Sequence, residues 1–194
     1  TAVLISTRHH AHAAQVTEAL QAGKHVFVEK PLALHHTELE QVKTAYSAAG
    51  KSLLVGFNRR FSPYVQQVKK ALGSELPLVN IVATMNAGYI PPNHWTQDMT
   101  LGGGRIIGEA CHLIDLIAYL ADSPVERVLM SALGPNTADN TDNATLLLEL
   151  KNGSRGTVHY FANGSKAYPK ERIEIHSQGR TAVIDNFRRV DFFG

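Results

Sequence analysis

The sequence predicts an α/β segment followed by an α+β segment, and three observations carry that prediction. Between Ala2 and Gly56, apolar runs of strand length alternate with two stretches of helical periodicity. Beyond Val125, runs of strand length follow one another, with Asn152-Gly153 and Gln178-Gly179 as hairpin signals between them. The change of regime falls after Phe57, which divides the chain into residues 1–57 and 58–194.

In the first segment, Ala2-Val3-Leu4-Ile5 opens a strand over residues 2–6. Ala11 to Ala22 follows as a helix with Ala14, Val16, Ala19 and Leu20 on its apolar side and Gly23 as its C-cap. Residues 25–28 form a second strand. His36 to Ala49 repeats the helical spacing through Leu39, Val42 and Tyr46 and stops before Gly50. Ser52 to Gly56 is a third strand. This order is parallel and doubly wound, as in part of a Rossmann-like sheet. No GxGxxG follows a strand, and Gly102 to Gly108 lies far from the first strand-helix-strand unit. The chain opens on Thr1 straight into a strand and stops at Phe192-Phe193-Gly194. Both ends are therefore read as cut, with the phosphate-cradling half of a nucleotide-binding domain missing.

In the second segment, Phe61 to Leu72 reads as a helix with Val65, Val68 and Leu72 inward. Pro77 to Ala87 reads as a strand, Gly88 to Leu101 as a pocket-shaping loop, and Glu109 to Leu120 as a helix. Strands follow at Val125–Leu133, Asn143–Leu150, Gly156–Phe161, Glu171–Ser177 and Thr181–Asp185. The expectation is a mostly antiparallel sheet with helices on one face. Burying the other face against a second copy removes it from water, so a homo-oligomer through the open sheet face is expected.

Composition narrows the function class. At 44% hydrophobic and 19% charged, 194 residues can bury a substantial core. A net charge of +2, from scattered Lys and Arg, gives no nucleic-acid stripe. No apolar stretch approaches the ~20 residues of a membrane helix, and Cys111 is the single cysteine, so the reading is cytoplasmic. His9, His10, His12, His35 and His36 lack the paired spacing of zinc motifs, and no metal is expected.

The chemistry centres on His25 to Leu32, HVFVEKPL. An apolar strand ending in Glu29, Lys30 and Pro31 delivers charge at its carboxyl end, where open α/β sheets bind ligands. Pro31 biases Lys30 towards an extended backbone, so the strand aims its side chain. Alone, the tripeptide fits an exposed ion pair ahead of a helix-starting proline equally well.

The flanking residues add specificity. Thr7-Arg8-His9-His10-Ala11-His12, Ala19 to Val26 (ALQAGKHV) and Glu29-Lys30-Pro31-Leu32 resemble, in order and spacing, the Gfo/Idh/MocA family of glucose-fructose oxidoreductases and inositol dehydrogenases. Gly56-Phe57-Asn58-Arg59-Arg60-Phe61 and Gly102-Gly103-Gly104, followed by His112 and Asp115, continue the resemblance into the family's second domain. It implies hydride transfer between NAD or NADP and a secondary hydroxyl of a sugar, nucleotide sugar or cyclitol, by a parent protein of which this fragment is inactive alone. Lys30 then stands beside the nicotinamide and the reacting hydroxyl, and His112 acts as acid or base. Thr7, His9, His12 and Glu29, with Lys30, border the cofactor, although Arg8 stands where a proline is common.

On the substrate side the candidates are Arg59, which follows the third strand at the hinge between domains, Asn93, His94 and Trp95 of the pocket loop, and Glu109 and Asp115 beside His112. Arg59 can reach a substrate phosphate or carboxylate, or bridge the domains. Trp95 can stack on a sugar ring or anchor its loop. Gly108 occupies the position of a family aspartate, and Glu109 and Asp115, each three residues from His112, can orient its ring. Two rival readings remain: a relative that uses NAD transiently for glycoside cleavage or epimerisation, and a non-catalytic sugar or nucleotide sensor.

Overall fold

Three parallel strands and two helices form the framework that carries Lys30. The computed structural model describes residues 1–73, 78–135 and 142–194. They divide into two units, Thr1–Phe57 with Pro92–Cys111, and Asn58–Pro91 with His112–Gly194. Residues 92–111 cluster with the first unit although they follow the first strand of the second.

In the first unit, β1 (Ala2–Ile5), β2 (His25–Val28) and β3 (Leu53–Val55) pair in parallel in that order. A 3-10 turn, His9–Ala11, leads into α1 (His12–Gln21), and α2 is His36–Ala49. The Glu38 carboxylate accepts from the Leu34 and His35 N–H groups at 2.9 and 3.1 Å, which satisfies two donors at the start of α2. Gly50, with φ 59°, ends it. Ile5, Val26 and Val28 pack with Ala13, Val16, Leu20, Val42 and Ala45 to form the core.

Three residues expected on the apolar sides of these helices, Ala14, Leu39 and Tyr46, are exposed. Ala14 gives way to Ala13, and Tyr46 to Ala45. Ala13 and Ala45 each lie three residues from a fully buried valine, Val16 and Val42, and so share its stripe, whereas Ala14 lies two away. The helices cover one face of the sheet; Leu4, Phe27 and Leu54, in register across the strands, line the other.

The second unit holds a 3-10 turn, Asn58–Phe61, then α3 (Pro63–Leu72), with proline in the first turn where its missing N–H costs nothing. A π-helical turn, Ile106–Ala110, which clusters with the first unit, leads into α4 (Cys111–Ala121). The seven strands are β4 (Asn80–Asn86), β5 (Val125–Ala132), β6 (Asn143–Leu150), β7 (Arg155–Phe161), β8 (Glu171–Ser177), β9 (Arg180–Asp185) and β10 (Arg189–Phe193), in the order β10-β9-β8-β4-β7-β6-β5. All neighbours are antiparallel except β4 and β7.

The sequence reading had no strand at 189–193; β10 appears because Asn186 and Phe187, both with φ near +50°, turn the chain back onto β9. The strand expected from Pro77 runs from Asn80, and Pro77 itself lies outside the described residues. Consecutive β7 and β8 are separated by β4, so the hairpin series is two meanders flanking an inserted strand. Leu113, Leu116, Ile117 and Leu120 of α4 are fully buried, and Ile117 sits where any Cβ at Gly156 of β7 would be. On the opposite face, Leu129, Leu147, Thr157 and Val82 align across four strands. Among the described residues no helix is long and apolar enough to cross a membrane.

Candidate functional site

At the carboxyl ends of β1 and β2, the backbone carbonyls and side chains of the first unit converge on Lys30. Its ammonium donates to the carbonyl of Gly108, 2.6 Å away in the π-helical turn. A π turn frees carbonyls from the usual ladder and is frequent at functional sites. Lys30 is half-buried, its partner is a neutral carbonyl, and the Lys30–Pro31 bond is cis. Of the ammonium's three N–H groups, two remain for a ligand.

His12, fully buried, ties the two strand ends together. Its Nδ1 lies 2.8 Å from the Pro31 carbonyl and its Nε2 3.0 Å from that of Thr7. These two contacts make His12 a bracket for the backbone around Lys30. Thr7 turns its hydroxyl to Gln15, 2.8 Å away. Glu29 lies against Gly56, where a Cβ would come within 3.1 Å of its carboxylate.

The loop 92–104 closes over this region for identifiable reasons. Asp98 accepts from the Thr100 hydroxyl and N–H and from the Leu101 N–H, and the Thr100 hydroxyl chiefly holds its carboxyl below the usual carboxylate range. The Asp98 carbonyl takes the N–H groups of Gly102 and Gly103. A Cβ at Gly102 would lie 2.6 Å from the Trp95 carbonyl, and one at Gly103 2.5 Å from Leu34 Cδ2, which accounts for two glycines of the triplet. Trp95 stands edge-on to His9 at 4.8 Å, with the Arg8 guanidinium 5.8 Å from its ring. His94 Nδ1 lies 2.9 Å from the Thr96 hydroxyl, Asn93 is exposed, and Glu109 pairs with buried Arg105 at 3.4 Å.

His9 was legible only as a cofactor-bordering residue. Its Nδ1 lies 2.8 Å from the Gly102 carbonyl, and its ring fills the space beside Gly108. Burial chiefly, with the charges of Lys30 and His12, lowers its pKa from the ordinary 6.5, against the opposing pull of the Gly102 carbonyl and Glu109.

In the second unit, Arg59 makes a bidentate pair with Glu171 at 2.8 and 2.6 Å. Arg60 makes another with Asp115, which raises the Arg60 pKa. These carboxylates hold both guanidiniums in place. His112 is buried as the second residue of α4. Glu171 was not singled out in the sequence, because nothing there marks it as the partner of a residue 112 positions away. A cavity of about 500 Å³, lined in part by Asn86, Lys166, Tyr168, Lys170, Asn186 and Arg188, was also missed. The larger cavity, about 890 Å³ between α1 and α2, brings no expected site residue together. Among the described residues no group of three or more His, Cys, Asp or Glu could hold a metal.

Comparison with known proteins bears on this arrangement. Residues 1–57 match the model of an oxidoreductase family with an NAD-binding Rossmann fold, and residues 70–183 match the GFO/IDH/MocA C-terminal domain. An inositol 2-dehydrogenase/D-chiro-inositol 3-dehydrogenase of Shouchella clausii is 34% identical over 192 residues, covering 94% of this chain and 52% of that protein. Levoglucosan dehydrogenase, solved with NADH and levoglucosan, superposes with a TM-score of 0.86 at 25% identity over 98% of this chain and 56% of its own. The WlbA dehydrogenase of Bordetella pertussis, solved with NADH and UDP-GlcNAcA, gives 0.80 at 25% identity over 98% and 57%. The chain spans about half the length of the curated relatives it matches. With both of its segments matched by the two domains of one family, the chain belongs to the GFO/IDH/MocA oxidoreductases.

Proposed function

We propose that the whole protein is an NAD- or NADP-dependent dehydrogenase acting on a secondary hydroxyl of a sugar, nucleotide sugar or cyclitol. The observation that carries the reading is the half-buried ammonium of Lys30, held on a neutral carbonyl at the carboxyl end of a parallel strand with two N–H groups to offer. The residues present suit the nicotinamide end of such a cofactor, with Thr7, His9, Glu29 and Lys30 gathered at the strand ends. When bound, the cofactor supplies a hydride acceptor. Lys30 steadies the negative charge that develops on the substrate oxygen, and the loop carrying Asn93, His94 and Trp95 limits water. His112 takes the acid–base role on the family resemblance. Arg59, Glu109 and Asp115 act by holding neighbouring groups, since each has an ionic partner within the chain.

The second unit's cavity adds a preference. Lys166, Lys170 and Arg188 give it a cationic wall suited to a phosphate or carboxylate. The test is a panel of neutral cyclitols, neutral sugars, acid sugars and nucleotide sugars, incubated in turn with NAD and NADP and followed by nicotinamide absorbance. Multiple-turnover reduction of one cofactor is the expected result, with acid or nucleotide sugars ahead. Tight NADH binding without turnover on any substrate class would favour the sensor reading instead.

The open face of the seven-stranded sheet supports self-association. Leu129 and Leu147, directly opposite each other on β5 and β6, are 54% and 37% exposed. A homo-oligomer that covers this face is expected, and Leu129→Glu with Leu147→Glu should dissociate it in sedimentation velocity. A wild-type monomer at micromolar concentration would refute the assignment. One cysteine allows no intrachain disulfide, which suits a reducing cytoplasm.

A further inference from the structure

We propose that the imidazole of His9 is a second proton-accepting group of the Lys30 site, alongside the acid–base role that the family resemblance gives His112, and that it occupies the space that a side chain at position 108 would need. The proposal rests on the dehydrogenase reading for the identity of the proton donor. Its structural basis lies wholly within the first unit.

Three observations carry it. The first is steric. A Cβ at Gly108 would lie 3.0 Å from His9 Cε1 and 3.5 Å from Nδ1. Gly108 is not among the residues with positive φ, so its backbone would accept any side chain. Glycine at 108 is therefore explained by the neighbouring ring and not by a turn. The second is the tautomer. The Gly102 carbonyl only accepts, so Nδ1, 2.8 Å away, carries the proton and donates it. Nε2 is left with its lone pair and makes no hydrogen bond among the described residues.

The third is charge. Lys30 donates to the carbonyl of the same Gly108, so a cation and a base flank one residue. The groups facing His9 are Lys30 on the β2 end, His12 on α1, Glu109 on the π turn and Arg8 across Trp95. Burial and the two nearby cationic or titratable groups outweigh Glu109 and Gly102, and the ring is neutral at pH 7. Trp95, edge-on at 4.8 Å, fixes its plane.

The step balances simply. The O–H bond of a bound secondary alcohol breaks and its proton passes to Nε2. The electron pair left on oxygen forms the carbonyl as the carbon-bound hydrogen leaves, with two electrons, to an oxidised nicotinamide dinucleotide. The imidazolium then returns the proton to solvent. Lys30 faces the same oxygen.

Two experiments test this. The first needs no activity: long-range proton–nitrogen correlation spectra of the ¹⁵N-labelled chain, recorded across pH. The expected result is a neutral His9 in the Nδ1–H form with a midpoint below 6.5. An Nε2–H tautomer, or a midpoint at or above 6.5, would overturn the assignment. The second uses the whole protein. His9→Gln should lower kcat/KM at pH 7 by roughly 10²-fold and abolish the low-pH limb of the profile. Gly108→Asp should impair the wild type by crowding the ring, yet restore at least tenfold of the lost rate in a His9→Ala background by supplying a carboxylate. Unchanged rate and limb in His9→Gln would overturn the proposal while leaving the dehydrogenase reading standing. Absence of turnover in the wild type would sink that reading, and the proposal with it.

Discussion

Replacing Lys30 by Ala should lower kcat of the whole protein by roughly 10²- to 10⁴-fold while the thermal midpoint moves by only a few degrees. The separation follows from what Lys30 touches. Its partner in the fold is a backbone carbonyl, not a carboxylate, so removing the ammonium strands no buried charge. Gly108 loses one donor, a cost of about 1–3 kcal/mol if water cannot replace it. In the proposed reaction, by contrast, the ammonium would face charge that exists only as the hydroxyl is oxidised, and a lost transition-state contact would fall on kcat. Lys30→Arg should recover little, because a planar fork cannot take the place of a compact ammonium 2.6 Å from Gly108. Steady-state kinetics beside thermal unfolding decides the matter. A large fall in midpoint with kcat intact would make Lys30 a structural residue.

Glu171→Ala should behave in the opposite way, destabilising the second unit by about 3–5 kcal/mol. The Glu171 and Arg59 side chains are 8% and 16% exposed, and their bond is bidentate. Deleting the carboxylate leaves a guanidinium out of water without its counter-charge. The loss is enlarged because Glu171 is also bracketed by its neighbour: its N–H donates to Asn186 Oδ1 at 3.3 Å and its carbonyl accepts from Asn186 N–H at 2.7 Å. Replacing both members of the pair, as in Arg59→Met with Glu171→Leu, should cost less than either alanine change alone. Urea unfolding of the three variants measures this, and equal stabilities for Glu171→Ala and wild type would show that the pair is solvated in solution.

Much of this architecture was readable without coordinates, and for physical reasons. His36 to Ala49 was bounded correctly because a helix needs a start and a stop, and Glu38 and Gly50 supply both locally. Asn143–Leu150 and Glu171–Ser177 alternate cleanly because one face of the sheet is covered. What failed was nonlocal. The strand at 189–193 depends on two left-handed residues that are not glycine, Asn186 and Phe187, and propensity does not announce them. In the site, the sequence singled out Lys30 through the flanking residues, since the charge at the end of the apolar strand did not by itself decide between a ligand group and an exposed ion pair. The pairing of His9 with Gly108 was not legible, since it joins positions about a hundred residues apart and shows itself only as a missing side chain. Arg59 reads as a ligand-seeking cation until its carboxylate is found.

The insertion of β4 between β7 and β8 bears on how the second unit reaches its fold. The β8–β9–β10 meander and the β6–β7 hairpin close from short turns and can zip up locally. Joining them requires Asn80–Asn86 to meet Arg155–Phe161, about 75 positions away, and Glu171–Met85 contacts farther still. Such contacts carry the largest loop-closure entropy among the strand pairings of this sheet and raise its contact order. The central strand is thus the last to gain its partners although it is made first. Until it docks, both meanders present unpaired edges to solvent, and the interval before docking is when this unit is most exposed to association with other chains.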